Sequence, residues 1–205
     1  MTEIVNALLI WDRKTFLLIN NGWQSRALDL VMPFFTQMGE TWLMVLLAIP
    51  FLYGSDRKTF FRRFLLFAGA LILSGAVGRI FKILVDRPRP LKEMAGLIEA
   101  HRIYIHVIGR SLREYSFPSG HAVSAFSGAT SLSFFSKRWS LLFFGIAIMT
   151  GLSRIYVGAH FPLDVVGGMI IGISTTALVC LIARRVAFPG PENAAGVSSD
   201  PGTER

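Results

Sequence analysis

Three short motifs together supply the groups needed to transfer a phosphate from an oxygen without a metal. Lysine and arginine side chains can hold a phosphate dianion, and two histidines can act as nucleophile and as proton donor. The candidate residues are Lys82 and Arg89 in KILVDRPRP, Ser119, Gly120 and His121 in FPSGH, and Arg154, His160 and Asp164 in SRIYVGAHFPLD.

The first motif ends an apolar run. A lysine buried near the end of such a run is costly enough to suggest a function, with snorkelling of Lys82 to the membrane interface as the alternative. Pro88 and Pro90 end the helix just beyond it, so the Arg89 guanidinium can turn back toward the same place. Lysine then offers a point charge and arginine a planar fork for one anion.

The second motif stands where another apolar segment begins. Ser119, which follows Pro118, suits a helix N-cap, and Gly120 lets the backbone approach a ligand closely. The free amides and the positive dipole at such a helix start attract phosphate, and His121 would lie beside it in the first turn. Taken alone, the motif could also be a simple helix cap.

The third motif joins two apolar segments. Pro162 can open a helix at its first turn, which puts His160 just ahead of the helix and Asp164 about one turn inside it. A carboxylate there can accept the ring N–H of His160 and leave the other ring nitrogen free to attack phosphorus. Arg154 adds a second fork for phosphate oxygens. A structural His–Asp cap is the alternative.

Composition places this chemistry in a membrane. The chain of 205 residues is 52% hydrophobic, has a mean hydropathy of +0.51, and carries apolar runs too long for a soluble domain of this size. Its net charge of +8 comes from short basic clusters between apolar runs, which follow the positive-inside rule and do not suggest a nucleic-acid partner. The single cysteine, Cys180, lies in an apolar run and predicts packing, not a disulfide.

Apolar length predicts the membrane spans. Two apolar segments nearer the N-terminus, 28–38 and 41–53, are short and interrupted by proline and glycine. We expect two spans there, with one broken hairpin as the alternative. The predicted fold class is an all-α polytopic integral membrane helix bundle of about six transmembrane helices, preceded by an N-terminal interfacial helix whose apolar face includes Ile4, Leu8 and Leu18. A plain lead-in to the first span is the alternative for this N-terminal segment. The clearer predicted spans are 62–84, 119–136, 139–158 and 162–183.

The order of the spans predicts topology and domains. Counting spans puts the basic clusters around Arg62, Arg138 and Arg184 on one side, expected to be the cytoplasm, and the three motifs on the opposite face of the inner (plasma) membrane, which is periplasmic or extracellular. The predicted division is an interfacial helix and lead-in at 1–24, a membrane phosphatase domain at 25–186 and a disordered tail at 187–205.

These motifs, in this order and on these segments, resemble the complete signature of the type 2 phosphatidic acid phosphatase family, whose site is shared with vanadium haloperoxidases and bacterial acid phosphatases. The resemblance covers residues 82–164 and departs at no signature position. It implies that His160 is the nucleophile forming a phosphohistidine, that Asp164 orients it, and that His121 protonates the leaving oxygen. It also implies that the lysine, the two arginines, Ser119 and Gly120 bind phosphate, and that neither a metal nor a cofactor takes part.

The resemblance leaves the substrate open. A lipid phosphate or diphosphate is expected, with undecaprenyl diphosphate or a phospholipid monophosphate such as phosphatidylglycerophosphate favoured, and lipid A or a soluble phosphate as alternatives. Specificity is expected in the groove between spans and in residues 91–117, where possible headgroup contacts are Tyr104, His106, Arg110 and Arg113. A solvated loop without substrate contacts is the alternative for these four residues. The oligomeric state is left open.

Two other classes of protein fit the sequence less well. A metal hydrolase would use His101, His106, His121 and His160, but the motifs lack clustered carboxylates or Cys/His spacing. A transporter or structural membrane protein would explain Lys82 and Arg154 as paired charges but would leave both motif histidines without a role.

Overall fold

The computed structural model describes residues 2–186, and this part of the chain is entirely helical apart from its connections. The all-α prediction is therefore confirmed, whereas the predicted disordered tail at 187–205 lies outside the described residues. The helices are α1 Thr2–Gly22, α2 Arg26–Gln37, α3 Thr41–Ser55, α4 Phe60–Val85, α5 Pro90–Glu93, α6 Ala95–Glu99, α7 Gly120–Phe135, α8 Ser140–Tyr156 and α9 Pro162–Val186.

The helices match the predicted spans in place but do not confirm the count of six. Within the described residues three segments are long and apolar enough to cross a bilayer, namely Phe60–Glu99, which includes α4, then Lys137–Tyr156 and Pro162–Arg185. Helix α7 has only 16 residues. It lies inside the bundle, where half of its residues are buried among other helices, as its Ser, Gly and Ala content predicts.

The two short apolar segments form one bent pair. Helices α2 and α3 meet at 74° and reach the length of a single span only when taken together, which fits the broken alternative better than two separate spans. Helix α2 starts beside the end of α8, where the Ser25 N–H donates to the Tyr156 hydroxyl, and runs back along α8 to Thr150, whose hydroxyl donates to the Phe35 carbonyl. Gly39, at the bend, therefore lies close to the motif residues.

Helix α7 is held tightly by α4 and α9. Three buried hydroxyls, on Ser74, Ser127 and Thr176, hydrogen-bond to one another at 2.7–3.2 Å across these three helices. Hydrogen bonds of this kind connect helices where no water is available. Gly168 on α9 permits the close approach, because a Cβ there would lie 2.7 Å from the Ser119 carbonyl oxygen. The start of α7 is thereby fixed against the start of α9.

Helix α1 packs on the motif end of the bundle. Ile4, Leu8 and Leu18 are exposed, as a helix lying on the bilayer requires, while Phe16 on the opposite face packs edge-on against Phe161 at 5.3 Å. Asp12, which lies off the predicted apolar face, is completely buried and not solvated. The interfacial position of α1 itself stays a prediction.

The basic clusters and the motifs lie at opposite ends of the bundle. Arg63, Lys137 and Arg184 line one depression at the start of α4, while Lys82 is near the end of the same helix. The predicted separation of the two ends is therefore present in the fold. The connection between α4 and α7 contains the short helices α5 and α6, which the sequence analysis did not predict.

Candidate active site

The three motifs converge at one end of the bundle. The connection after α4 carries Arg89, the turn between α8 and α9 carries His160, and the Arg89 Nη1 lies 3.2 Å from the His160 Nε2. Two carbonyls hold the guanidinium in place, since its Nε donates to Glu114 O at 2.7 Å and its Nη1 donates to Ala159 O at 3.0 Å. The predicted convergence of Arg89 on the histidine is present.

The surroundings of His160 favour its neutral imidazole. Its side chain is almost completely buried. Burial, and next the positive charges of Arg89, Arg154 and Lys82, hold the pKa of His160 well below its usual value. Because a guanidinium can only donate, Nε2 must be the acceptor and the proton must lie on Nδ1. The unprotonated Nε2 therefore faces the arginine that would hold a phosphate.

Asp164 lies below His160 on the Nδ1 side. Its Oδ2 is 3.6 Å from Nδ1, which is longer than a hydrogen bond. The expected His160–Asp164 hydrogen bond is not made at this distance, because the same oxygen accepts the Phe161 N–H at 2.9 Å and the Ser116 hydroxyl. The contact with Phe161 is that of an N3 carboxylate reaching back to the N-cap amide of α9. Asp164 is thus held in place by groups other than His160.

Arg87 fixes Asp164 from the other side, a role that the sequence analysis missed. Its Nη1 donates to Asp164 Oδ1 at 2.9 Å and its Nη2 donates to Asp12 Oδ2 at 2.7 Å, so one guanidinium joins two buried carboxylates. The other oxygen of Asp12 accepts the Leu163 N–H at 2.8 Å. Burial raises the pKa of Asp12, while the Leu163 amide and Arg87 lower it.

The remaining cations have free donors. Arg154 is buried on α8, and its Nε has no hydrogen-bond partner within residues 2–186. An unpaired buried donor is costly, and an anion would satisfy it. Lys82 Nζ donates to Tyr115 O at 3.0 Å and keeps two further N–H donors. Both residues fit the predicted phosphate-binding roles.

The predicted helix cap at Ser119 is present. The Ser119 hydroxyl caps α7 by accepting from Ala122 N, and its own amide donates to the Asp164 carbonyl at 2.9 Å. Gly120 is the first residue of α7 and is exposed. The site therefore includes the positive end of a helix whose first residue carries no side chain.

His121 is paired with a residue that the sequence analysis did not identify. Its Nε2 lies 3.1 Å from Glu40 Oε1, at the start of α3. The bend between α2 and α3 brings Glu40 there, and Gly39 is required for the approach, because a Cβ on it would lie 2.7 Å from His121 Cβ and 2.8 Å from Thr150 Cγ2. Glu40 and His121 line a cavity of about 250 Å³ that Lys82 also lines.

The four predicted headgroup contacts lie away from this cavity. None of them is among its lining residues. His106 has a structural contact, since its Nε2 lies 2.9 Å from Asp29 Oδ1, and the Tyr104 hydroxyl approaches Gln24 Oε1 at 3.4 Å. The Arg113 carbonyl accepts the Arg89 N–H at 2.9 Å, and Arg110 is exposed. Contact with a headgroup stays a prediction for all four.

Within the described residues, no group of three or more His, Cys, Asp or Glu side chains is arranged to hold a metal ion. The charge at the site comes instead from lysine and arginine. The three cations whose charges lower the pKa of His160 are Arg89, Arg154 and Lys82.

Solved structures share this fold. The crystal structure of Aquifex aeolicus LpxE aligns with a TM-score of 0.66 and 31% identity, covering 81% of this chain and 92% of that one. The PAP2-type phosphatidylglycerolphosphate phosphatase from Bacillus subtilis aligns with a TM-score of 0.64, covering 88% of each chain, and at 21% identity it supports the fold alone. Both structures cover most of the helical bundle.

Curated sequences agree. The chain is 31% identical over 150 residues to the undecaprenyl-diphosphatase BcrC of Bacillus subtilis, which covers 71% of this chain and 70% of the relative. It is 29% identical over 179 residues to an undecaprenyl-diphosphatase of Sulfolobus acidocaldarius, covering 86% and 78%. The profile of the PAP2 superfamily matches residues 63–187, which include all three motifs. The chain is therefore a multi-pass membrane protein that belongs to the PAP2 superfamily of phosphatases.

Proposed function

We propose that this chain hydrolyses a lipid phosphate or lipid diphosphate through a phosphohistidine on His160. The observation that carries the proposal is the contact between Arg89 Nη1 and the unprotonated Nε2 of His160, in a buried turn between two membrane helices. A neutral imidazole beside a phosphate-binding guanidinium can attack phosphorus without first losing a proton.

The first step is displacement at phosphorus. His160 Nε2 forms the N–P bond while the P–O bond to the leaving group breaks, and the bonding electrons go to the leaving oxygen. Arg89, Arg154 and Lys82 balance the charge on the three phosphate oxygens. Asp164, held by Arg87, stabilises the positive charge that develops on the imidazole.

His121 completes the reaction. It gives a proton to the leaving oxygen and then takes one from the water that hydrolyses the phosphohistidine. Burial, and next the positive charges of Arg154 and the other cations, lower the pKa of His121 to about 3. Glu40 Oε1, 3.1 Å from His121 Nε2, and the negative charge of a bound phosphate both oppose that effect, so the ring would hold its proton when substrate is bound. The products are inorganic phosphate and a dephosphorylated lipid.

A lipid is the favoured substrate. The candidate active site lies at one end of membrane-spanning helices, where a lipid can reach it while its chain stays in the bilayer. The relatives are named for undecaprenyl diphosphate and, in Rhizobium johnstonii and Porphyromonas gingivalis, for lipid A. A soluble phosphate remains the rival substrate.

Purified protein in detergent is expected to release phosphate from at least one of a panel of undecaprenyl diphosphate, phosphatidylglycerophosphate, phosphatidic acid and lipid A. EDTA should leave the rate nearly unchanged, because the three cations supply the charge that a metal would provide. Vanadate should inhibit, since it can adopt the geometry of the transferring phosphoryl group. Loss of activity in EDTA that zinc or magnesium restores would contradict the metal-free mechanism, and activity on soluble phosphates alone would contradict the lipid substrate.

We also propose that the site faces the periplasm or cell exterior. In a Cys180→Ser background, Arg102→Cys should react with a membrane-impermeant thiol reagent in intact cells, because it is exposed beside α6 at the motif end. Lys137→Cys, exposed at the opposite end of α7, should react only after the cells are opened and serves as the control. The reverse labelling pattern would put the site in the cytoplasm.

A further inference from the structure

An arginine outside the three motifs lies inside the membrane-spanning part of α4. Arg79 is three residues before Lys82, on the same side of the helix, and its side chain is exposed on the bundle. It has no hydrogen bond or ion pair within residues 2–186. A guanidinium at this depth is costly in lipid, so a ligand of opposite charge is the default explanation.

Arg79 lines the cavity that opens beside His121. The same cavity of about 250 Å³ is lined by Lys82, Glu40 and Gly78, and His160 is not among its lining residues. In phosphoryl transfer the attacking and leaving atoms lie on opposite sides of phosphorus. With His160 as the nucleophile and His121 as the acid, the part of the substrate beyond the breaking bond would occupy this cavity.

The charge of the cavity indicates what that part of the substrate carries. Arg79 and Lys82 bring two positive charges, and the one carboxylate on the wall, that of Glu40, is already paired with His121. An uncharged alkyl or sugar leaving group would gain nothing from a second cation. A leaving group that is itself a phosphate would gain a charge-assisted hydrogen bond with a planar fork.

We propose that Arg79 binds the second phosphate of a lipid diphosphate and so determines specificity for diphosphate over monophosphate lipids at this site. The inference rests on the proposed function and narrows its substrate class. His160 would attack the terminal phosphorus, and the bond to the bridging oxygen would break with its electrons going to that oxygen. The lipid monophosphate would leave with its remaining phosphate on Arg79.

The test compares two substrates that share one polyprenyl chain, a diphosphate and a monophosphate, in detergent. Arg79→Gln should lower kcat/KM for the diphosphate by about 10- to 100-fold, the range for loss of one or two charge-assisted hydrogen bonds, and change that for the monophosphate by less than about 3-fold. Arg79→Lys should retain part of the diphosphate activity. Arg184→Gln, which removes the same charge from the opposite end of the bundle, should leave both activities unchanged.

An inhibition measurement on the monophosphate substrate tests anion binding at Arg79 without relying on turnover of the diphosphate. Inorganic pyrophosphate should inhibit the unmodified protein more strongly than inorganic phosphate does, and Arg79→Gln should remove most of that difference. Equal losses on both substrates, or an unchanged pyrophosphate preference, would overturn the role of Arg79 while leaving the phosphatase itself established. Absence of phosphate release from every lipid by the unmodified protein would instead overturn the proposed function and this inference with it.

Discussion

Replacement of His160 by alanine is expected to lower the rate of phosphate release from every substrate by roughly 10⁴-fold or more. Within residues 2–186, His160 is the histidine hydrogen-bonded to Arg89, at 3.2 Å between its Nε2 and the Arg89 Nη1. Without that nitrogen no N–P bond can form, so a good leaving group cannot rescue the variant. Initial rates on a lipid diphosphate, a lipid monophosphate and nitrophenyl phosphate would measure the effect.

His121→Ala should behave differently, which separates the two histidines. An alkoxide needs a proton to leave, whereas a phosphate or nitrophenolate leaves with less help, so the loss should be about 10²- to 10⁴-fold on a lipid monophosphate and much smaller on the other two. Rapid quench with labelled substrate should still trap an acid-labile phosphoenzyme. Glu40→Gln should give a weaker form of the same leaving-group dependence, since it keeps the contact but removes the charge.

Two results would contradict these roles of His160 and His121. Equal losses for both histidine variants on all three leaving groups, or a phosphoryl group found on His121, would overturn them. Asp164→Asn serves as the intermediate case. It should retain substrate binding and lose rate, because the amide would no longer balance the imidazolium.

Sequence patterns predicted the elements that carry the site because those patterns are local. Pro88 follows the end of α4 at Val85, Ser119 caps α7 and Pro162 opens α9, and each of these signals acts within a few residues. The apolar runs likewise gave helix positions to within a few residues. They did not give the number of crossings, because length and hydropathy do not distinguish two short helices from one bent span.

The partners of the site residues could not be predicted in the same way. Asp12 is 75 residues from Arg87, and Glu40 is 81 residues from His121. Their contacts depend on how α1 packs against α9 and on how sharply α2 and α3 bend, and no local pattern encodes either. Neither Asp12, within α1, nor Glu40, just before α3, belongs to one of the three motifs. One signal was available for Arg87, which stands in the same motif as Arg89 with a proline between them.

Replacement of Arg87 by methionine is expected to lower the stability of the fold strongly. Its guanidinium is the ion-pair partner of two completely buried carboxylates, Asp12 and Asp164, and also lies 4.3 Å from the Phe161 ring centroid. Arg87→Met would leave both carboxylates buried and facing each other without a cation. Breaking a buried pair from one side costs about 3–5 kcal/mol, so the variant should unfold at a clearly lower temperature in detergent and lose activity.

The pH dependence of that defect distinguishes lost charge pairing from lost packing. With Arg87 removed, the buried carboxyls should have pKa values above those in the unfolded chain, so the folded protein binds more protons and its stability falls as the pH rises. The deficit in unfolding temperature of Arg87→Met against the unmodified protein should therefore be larger at pH 8 than at pH 5. Adding Asp12→Asn should recover part of it, because one uncompensated charge is then removed. Lys92→Met, which breaks the exposed pair with Glu114 in the same connection, should change the unfolding temperature little at either pH. A deficit for Arg87→Met that is the same at both pH values and unaffected by Asp12→Asn would mean that Arg87 acts through its packing on Phe161, and that Asp164 keeps its position without the buried charge.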